Sequence, residues 1–290
     1  CLHLRVYTGA MSASRTDELI RRPHPRLRPF VGDYAGYDIS GVPAGTHLGL
    51  PSGTLTFIVS IDEPLCQVDS VTGSREHFDV LLAGLHLRST LIAHPGTMSG
   101  IQINFNSSAP RAFFGIPAAE FAHHSVDVAR ISRPLAAELH ERVNLETEWP
   151  ARFAAIDDVL MRTIDDANRP RAEVAAAWHR ITDSHGGLPV SLIADDVGWS
   201  RRHLGSQFRS EYGIGPKDAA RIVRFDRARR LIPAGRGSLA EIAVSCGYAD
   251  QAHLNRDFRD FVGLSPSQWL AADDVARSRT VGTDSAGVAS

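Results

Sequence analysis

A duplication in the back half of the chain restricts its fold more than any other feature. Ile193-Ala194 is followed after three residues by Gly198-Trp199, then by Leu204, Phe208-Arg209, Gly213-Ile214 and Pro216. Further on, Ile242-Ala243, Gly247-Tyr248, Leu254, Phe258-Arg259, Gly263-Leu264 and Pro266 repeat that order, with one extra residue between the aromatic and the leucine. Chance is a poor explanation for so many matched positions, and the same local fold is expected twice.

Each copy reads as two helices joined by a tight turn. In the second, Leu239, Ile242, Ala243 and Cys246 fall at i, i+3, i+4 and i+7, which gives one apolar stripe. Ser238 and Glu241 have the spacing of a capping box, which satisfies amide donors at a helix start, and Gly247 supplies the left-handed residue that ends a helix. A small alanine lies where the two helices cross. The second helix buries Leu254, Phe258, Phe261 and Val262 and leaves Gln251, His253, Asn255 and Arg256 off that stripe. In the first copy the equivalent polar set is Ser200, Arg201, Arg202, Ser206 and Gln207. Trp199, Phe208, Tyr248, Phe258 and Trp269 follow the buried spacing and are assigned to core, not to stacking on bases.

Arginine suits guanine edges, glutamine and asparagine suit adenine, and serine or histidine serves either. One polar helix face is ordinarily just a solvated surface; the matched pair is what favours DNA. Between the copies Pro216 to Ile232 reads as a helix with proline at its first turn, a rod of about 25 Å. Successive major grooves on one side of a duplex are ~34 Å apart, so such a rod can hold two recognition helices in neighbouring grooves with some bending of the DNA. Lys217, Arg221 and Arg224 form a cationic stripe on it. Two readings of Arg221 and Arg224 stay open: phosphate contacts, or ion pairs with Asp inside the domain. The formal charge of −2 by itself argues against a nucleic-acid binder, but between Leu188 and Ala272 twelve Lys and Arg outnumber nine Asp and Glu. The back is mildly basic and the front acidic.

With these motifs in place, residues 171 to 272 resemble the DNA-binding domain of the AraC/XylS family of bacterial transcription regulators, which has seven helices, two helix-turn-helix units and a connecting helix. Gly247-Tyr248, Phe258, Gly263 and Pro266 match the most characteristic run of the family, and Arg221, Arg224, Ala228 and Leu231 match its connecting-helix pattern. The resemblance implies base contacts at Arg202, Ser206, Gln251, His253, Asn255 and Arg256, and phosphate contacts at Arg201, Arg209, Lys217, Arg221 and Arg259. Gly205 departs from the family, which commonly has a longer polar side chain there, so the first helix is expected to read fewer bases.

The front half reads as short strands broken by turn residues: Phe30 to Tyr37, Leu55 to Ile61, His77 to Leu87, Leu91 to His94 and Ile101 to Phe105. Strands at this spacing suggest a barrel or sandwich. Helical periodicity takes over after Pro110, with Leu135, Leu139 and Val143 in one series, Phe153, Ile156, Leu160 and Ile164 in another, and a further helix over Ala172 to Thr182. Gly49-Leu50-Pro51-Ser52, Gly84-Leu85-His86 and the run Ala112 to Pro117 are similar to the front domains of an actinobacterial subgroup of these regulators. Kinship implies a cupin-like barrel that binds a small effector or mediates dimerisation. The expected class is thus α+β: a β-rich cupin-like barrel with helices, then an all-α domain of seven helices. The expected divisions are an extension over residues 1–29, partly disordered, an effector or dimerisation domain with helical linker over 30–169, a DNA-binding domain over 170–272 and a disordered tail over 273–290. Met11 is read as the natural start.

Histidines at 47, 77, 86 and 94 do not form the His-x-His and Glu cluster of a metal-binding cupin, and His123-His124 have no third ligand nearby in sequence, so no metal or other cofactor is expected. Three scattered cysteines, Cys1, Cys66 and Cys246, support neither a disulfide framework nor a zinc knuckle. The rival class is a DNA-repair alkyltransferase of the Ada type, which needs a thiolate held by neighbouring Cys or His. Cys66 has no such neighbour in sequence and Cys246 lies on a buried stripe, so the chain is expected not to be an enzyme. Neither an apolar run long enough for a bilayer nor a secretion signal stands out, and the expectation is a cytoplasmic protein. Expected partners are double-stranded DNA, a small-molecule effector, RNA polymerase and a second copy of the chain, with no membrane.

Overall fold

The structure, a computed structural model, describes residues 15–235 and 237–272. Ten strands come first: β1 (Arg15–Arg21), β2 (Val31–Ser40), β3 (Gly45–Gly49), β4 (Leu55–Ile61), β5 (Leu65–Val68), β6 (Arg75–Phe78), β7 (Val80–Ala83), β8 (Thr90–His94), β9 (Met98–Phe105) and, after helix α1 (Ala109–Phe114) and a 3-10 turn at Ala118–Phe121, β10 (Ser125–Asp127). All pairings are antiparallel. One sheet has the order β1-β2-β9-β4-β7-β10 and the other β3-β8-β5-β6. The barrel expected of the front half therefore takes the form of two facing sheets, with no strand shared between them.

Period-two alternation explains the layering. Leu55, Phe57 and Val59 of β4 and Ile101, Ile103 and Phe105 of β9 pack with Leu139 and Val143 of α2 (Arg133–Leu145) and with Phe153 and Ile156 of α3 (Trp149–Thr163). The alternate residues Ile58 and Leu81 turn to the other side and meet Leu65, Phe78 and Ile92 of the second sheet. Helices, large sheet and small sheet thus form three layers. Gly36 of β2 lets α3 approach closely, because a Cβ there would lie 2.6 Å from the Trp149 ring.

Two expectations need correction. Within the supposed extension, β1 pairs with β2 along its whole length, and Leu27 is buried. Its sequence, RTDELIR, lacks apolar alternation because an edge strand is held by backbone pairing on one side. The expected strand from His77 to Leu87 is two: exposed Asp79 separates β6, paired with β5, from β7, paired with β4, as the chain crosses between sheets. Residues 1–14 and the tail from 273 lie outside the described residues.

The back half folds as α4 (Ala172–Asp183), α5 (Val190–Asp196), α6 (Arg201–Tyr212), α7 (Pro216–Leu231), α8 (Leu239–Ser245) and α9 (Gln251–Val262), with a further helical stretch over 266–272. Among the described residues this makes the seven helices expected. One hydrophobic core runs through both halves, from Phe105 and Phe121 to Phe208, Phe225 and Phe258.

Candidate nucleic-acid interface

The two copies of the repeat fold alike. In the first, α5 and α6 pack through Ile193, Ala194, Leu204 and Phe208; in the second, α8 and α9 pack through Ile242, Ala243, Leu254 and Phe258, and all eight side chains are buried. Gly198 and Gly247 both adopt positive φ, +72° and +80°, at the turn between the helices, where a left-handed residue suits glycine. Each recognition helix begins on a capping side chain: Ser200 accepts from the His203 amide at 3.2 Å, and Asp250 accepts from the His253 amide at 2.7 Å. Ser200 is thereby committed to the backbone. The capping box at Ser238 and Glu241 is formed, and its hydrogen bonds hold the Glu241 carboxyl below the usual range.

Aromatic packing fixes both units from below. Trp178 of α4 stacks on Phe208 at 5.6 Å and lies 4.7 Å from Tyr212. Phe225 of α7 meets Phe258 and Phe261, each at 4.9 Å, and Trp269 packs on Phe258. Trp199 and Trp269 are partly buried against the core, while Phe208, Tyr248 and Phe258 are fully within it.

With the apolar stripes inward, Arg201, Arg202, Ser206 and Arg209 of α6 are exposed, as are Gln251, Arg256 and Arg259 of α9 and Lys217 at the start of α7. Arg209 bends back to its own helix, donating to the Gly205 carbonyl at 3.3 Å. His253 and Asn255 are half-buried. His253 packs edge-on to Tyr248, and Asn255 Oδ1 has no hydrogen-bond partner among the described residues. Arg201, Arg202, Lys217, Arg256 and Arg259 are exposed and carry no ion pair among the described residues, so their positive charge is left uncompensated.

Arg221 is the exception among the expected phosphate contacts. Its guanidinium donates to Asp257 at 2.8 and 3.0 Å and to Asp260 at 2.6 Å, and lies over the Phe261 ring. Burial would lower its pKa, but these hydrogen bonds and charges push it up overall. The inward alternative holds because Asp257 sits on the α9 face that packs toward α7. Arg224 is likewise internal, donating to the Gly186 carbonyl at 2.7 Å and covering Tyr248. One cation escaped the sequence reading: Arg171, just before α4, lies over Trp199 and 3.5 Å from Gln207 of α6, so it flanks the first recognition helix. Its signal was lost because it precedes the repeat.

Cys66 is partly buried in the small sheet, and Cys246 is buried at the end of α8, where burial pushes its thiol up and disfavours the nucleophilic thiolate. No group of three or more His, Cys, Asp or Glu that could hold a metal occurs among the described residues. Nor is any described helix long and apolar enough to cross a membrane.

Comparison with known proteins agrees with this geometry. Residues 174–272 match a family described as a helix-turn-helix domain, and residues 20–127 match a domain of unknown function, DUF6597. An HTH-type transcriptional regulator of Mycobacterium tuberculosis is 27% identical over 141 residues, 48% of this chain and 51% of that protein. The arabinose operon regulatory protein of Salmonella typhimurium is 28% identical over 142 residues, 49% of this chain and 47% of that protein. The chain thus matches about half the length of these relatives. Among solved structures, ToxT from Vibrio cholerae O395 is similar with a TM-score of 0.47 at 13% identity, covering 82% of this chain and 97% of that one. The DNA-binding domain of AdpA, solved with a target DNA, is 32% identical with a TM-score of 0.33, covering 38% of this chain and 97% of that one. The chain thus joins a DUF6597 front domain to a helix-turn-helix domain of the AraC type, and in its DNA-binding half it is similar to HTH-type transcriptional regulators.

Proposed function

We propose that the chain is a sequence-specific transcription regulator that inserts α6 and α9 into successive major grooves of one duplex. The observation that carries this reading is the pair of matched helix faces whose arginines are exposed and without ion pairs, beside an Arg221 held by Asp257 and Asp260 and an Arg224 turned inward to the Gly186 carbonyl and the Tyr248 ring. Arg202, Ser206, Gln251, His253, Asn255 and Arg256 supply the base contacts, and Arg201, Arg209, Lys217 and Arg259 the phosphate contacts, with Arg171 added to them. Such a protein acts in the cytoplasm, on DNA, with RNA polymerase as its downstream partner, and without enzymatic chemistry of its own.

The front unit, ending near residue 169, takes the sensing or pairing role, binding a small molecule or a second copy of the chain. Support for a small polar molecule comes from polar atoms on the facing sheets that lack partners among the described residues. Gln102, 1% exposed, has an Oε1 without a partner among the described residues, and across from its sheet Gln67 Oε1 and His94 Nδ1 are in the same condition. Buried polar atoms of this kind ordinarily find a hydrogen-bonding partner.

Selection of duplexes from a random pool by the full chain tests the reading. The expected product is a bipartite motif with half-sites about one helical turn apart. Failure to enrich any motif, or equal affinity for enriched and random duplexes, overturns it.

A further inference from the structure

The front half grips both recognition helices at their C-terminal ends, and the two grips are tied to one another. At the end of α6 the carboxylate of Glu211, 6% exposed, takes two hydrogen bonds from the Arg111 guanidinium of α1, at 2.7 and 2.8 Å. The next turn rests on the same region: a Cβ at Gly213 would lie 2.2 Å from the Ala122 Cβ and 3.1 Å from the Ala119 Cα. At the end of α9 the Phe261 carbonyl accepts a hydrogen bond from the Ser89 amide at 2.7 Å. That carbonyl is among the last of its helix, which have no partner within the helix.

These two jaws form one piece. The His123 amide donates to the Leu85 carbonyl at 2.9 Å and the Gly84 amide to the His124 carbonyl at 3.2 Å. Gly84 is pressed so closely on the Phe121 carbonyl that a Cβ would lie 1.8 Å from its oxygen. Loop 84–89 and segment 118–124 therefore move together. The exposed residues Arg202, Ser206, Gln251 and Arg256 all lie toward the opposite, N-terminal parts of their helices and are left uncovered.

We propose that Arg111 and Ser89 are positioning residues for DNA reading: through Glu211 and Phe261 they hold α6 and α9 at one mutual setting, and the front half thereby fixes the half-site spacing the protein accepts. This rests on the regulator reading above. Within the back half the two helix-turn-helix units are joined through α7, so a bend in that helix would otherwise change their separation. The brace adds a second connection and closes the loop of contacts, and it does so without blocking the faces that meet bases.

The test uses the full chain and a duplex enriched by it from a random pool, together with the same duplex carrying one or two added base pairs between its half-sites. The wild-type chain is expected to lose about tenfold in affinity for each insertion, since both helices can no longer engage at once. Combining Arg111→Met with Glu211→Gln removes the grip without leaving a lone buried charge, and should reduce that insertion penalty severalfold while the helical circular dichroism is retained. Ser89→Pro removes the amide donor at the other jaw without touching a buried charge; it should act in the same direction and serves if the first variant does not fold. A folded variant with the wild-type spacing profile overturns the brace alone. A wild-type chain that enriches no motif overturns the regulator reading, and the brace with it.

Discussion

Arg221 of the connecting helix and Asp257 of the second recognition helix form an ion pair, with Nη2 to Oδ1 at 2.8 Å, and Asp260 takes the same nitrogen at 2.6 Å. The Asp257 carboxylate is 3% exposed, so this arginine supplies the charge that makes an acid tolerable inside the domain.

Arg221→Ala should therefore destabilise the protein by on the order of 3 kcal/mol, because it strands a buried carboxylate. Urea unfolding of the full chain measures this. Arg221→Lys should recover only part of the loss, since an ammonium cannot reproduce the fork that spans two carboxylates. The salt dependence of DNA binding should be unchanged, which separates this residue from phosphate contacts.

Arg202→Ala and Arg256→Ala should each weaken specific DNA binding by about 1–3 kcal/mol and relax preference at one base position. Both residues are exposed, and stability should change by less than about 0.5 kcal/mol. Lys217→Ala should instead weaken binding evenly across sequences and reduce the slope of log affinity against log salt by about 1. Fluorescence anisotropy at several salt concentrations distinguishes the two patterns.

Much of this was legible in the sequence, for identifiable reasons. The repeat exposed both helix-turn-helix units because burial stripes and glycine turns are local patterns: Leu254, Phe258, Phe261 and Val262 are buried as their spacing required. Strand β4 also coincides with its expectation, Leu55 to Ile61, since it is a largely apolar stretch at the middle of a sheet. Strand β1, which lacks apolar alternation, and the four-residue β5 were missed although each pairs with the next strand, and β3 and β10 were missed because their partners, β8 and β7, are distant in sequence. The fate of Arg221 was undecidable for the same reason. Its cationic spacing on α7 is equally good for phosphates, and only the position of Asp257 on another helix decides it. Nothing local marks Arg111 and Glu211 as partners, a hundred residues apart.

Gly205 lies within α6, where glycine costs conformational entropy, and a Cβ there would meet only the end of the Arg209 side chain at 3.6 Å. Gly205→Ala should stabilise the protein by about 0.5–1 kcal/mol, seen as a raised thermal midpoint. Specific binding should persist, because the position is not among the base contacts.

His47 is held down to about 4 by burial and by the neighbouring His94, whose ring centroid is 5.8 Å away. The unfolded chain binds a proton at this residue near pH 6.5 and the folded chain only near pH 4. Stability from this site is complete above pH 6.5, declines as pH falls through the window and levels off below pH 4, a total of about 3 kcal/mol. Denaturant titrations at intervals across that range should show the slope, and His47→Gln should reduce it, leaving the part due to His86 and His94, which burial also holds down.

The contact of Gly213 with Ala122 has an evolutionary corollary. A DNA-reading module from a relative cannot be grafted onto this front half unless it brings a glycine to that point, and a bulkier residue at either site demands a matching retreat at the other. The two halves are therefore bound to vary in concert along this seam, and chimeras that ignore it should lose the register between the halves before either half unfolds.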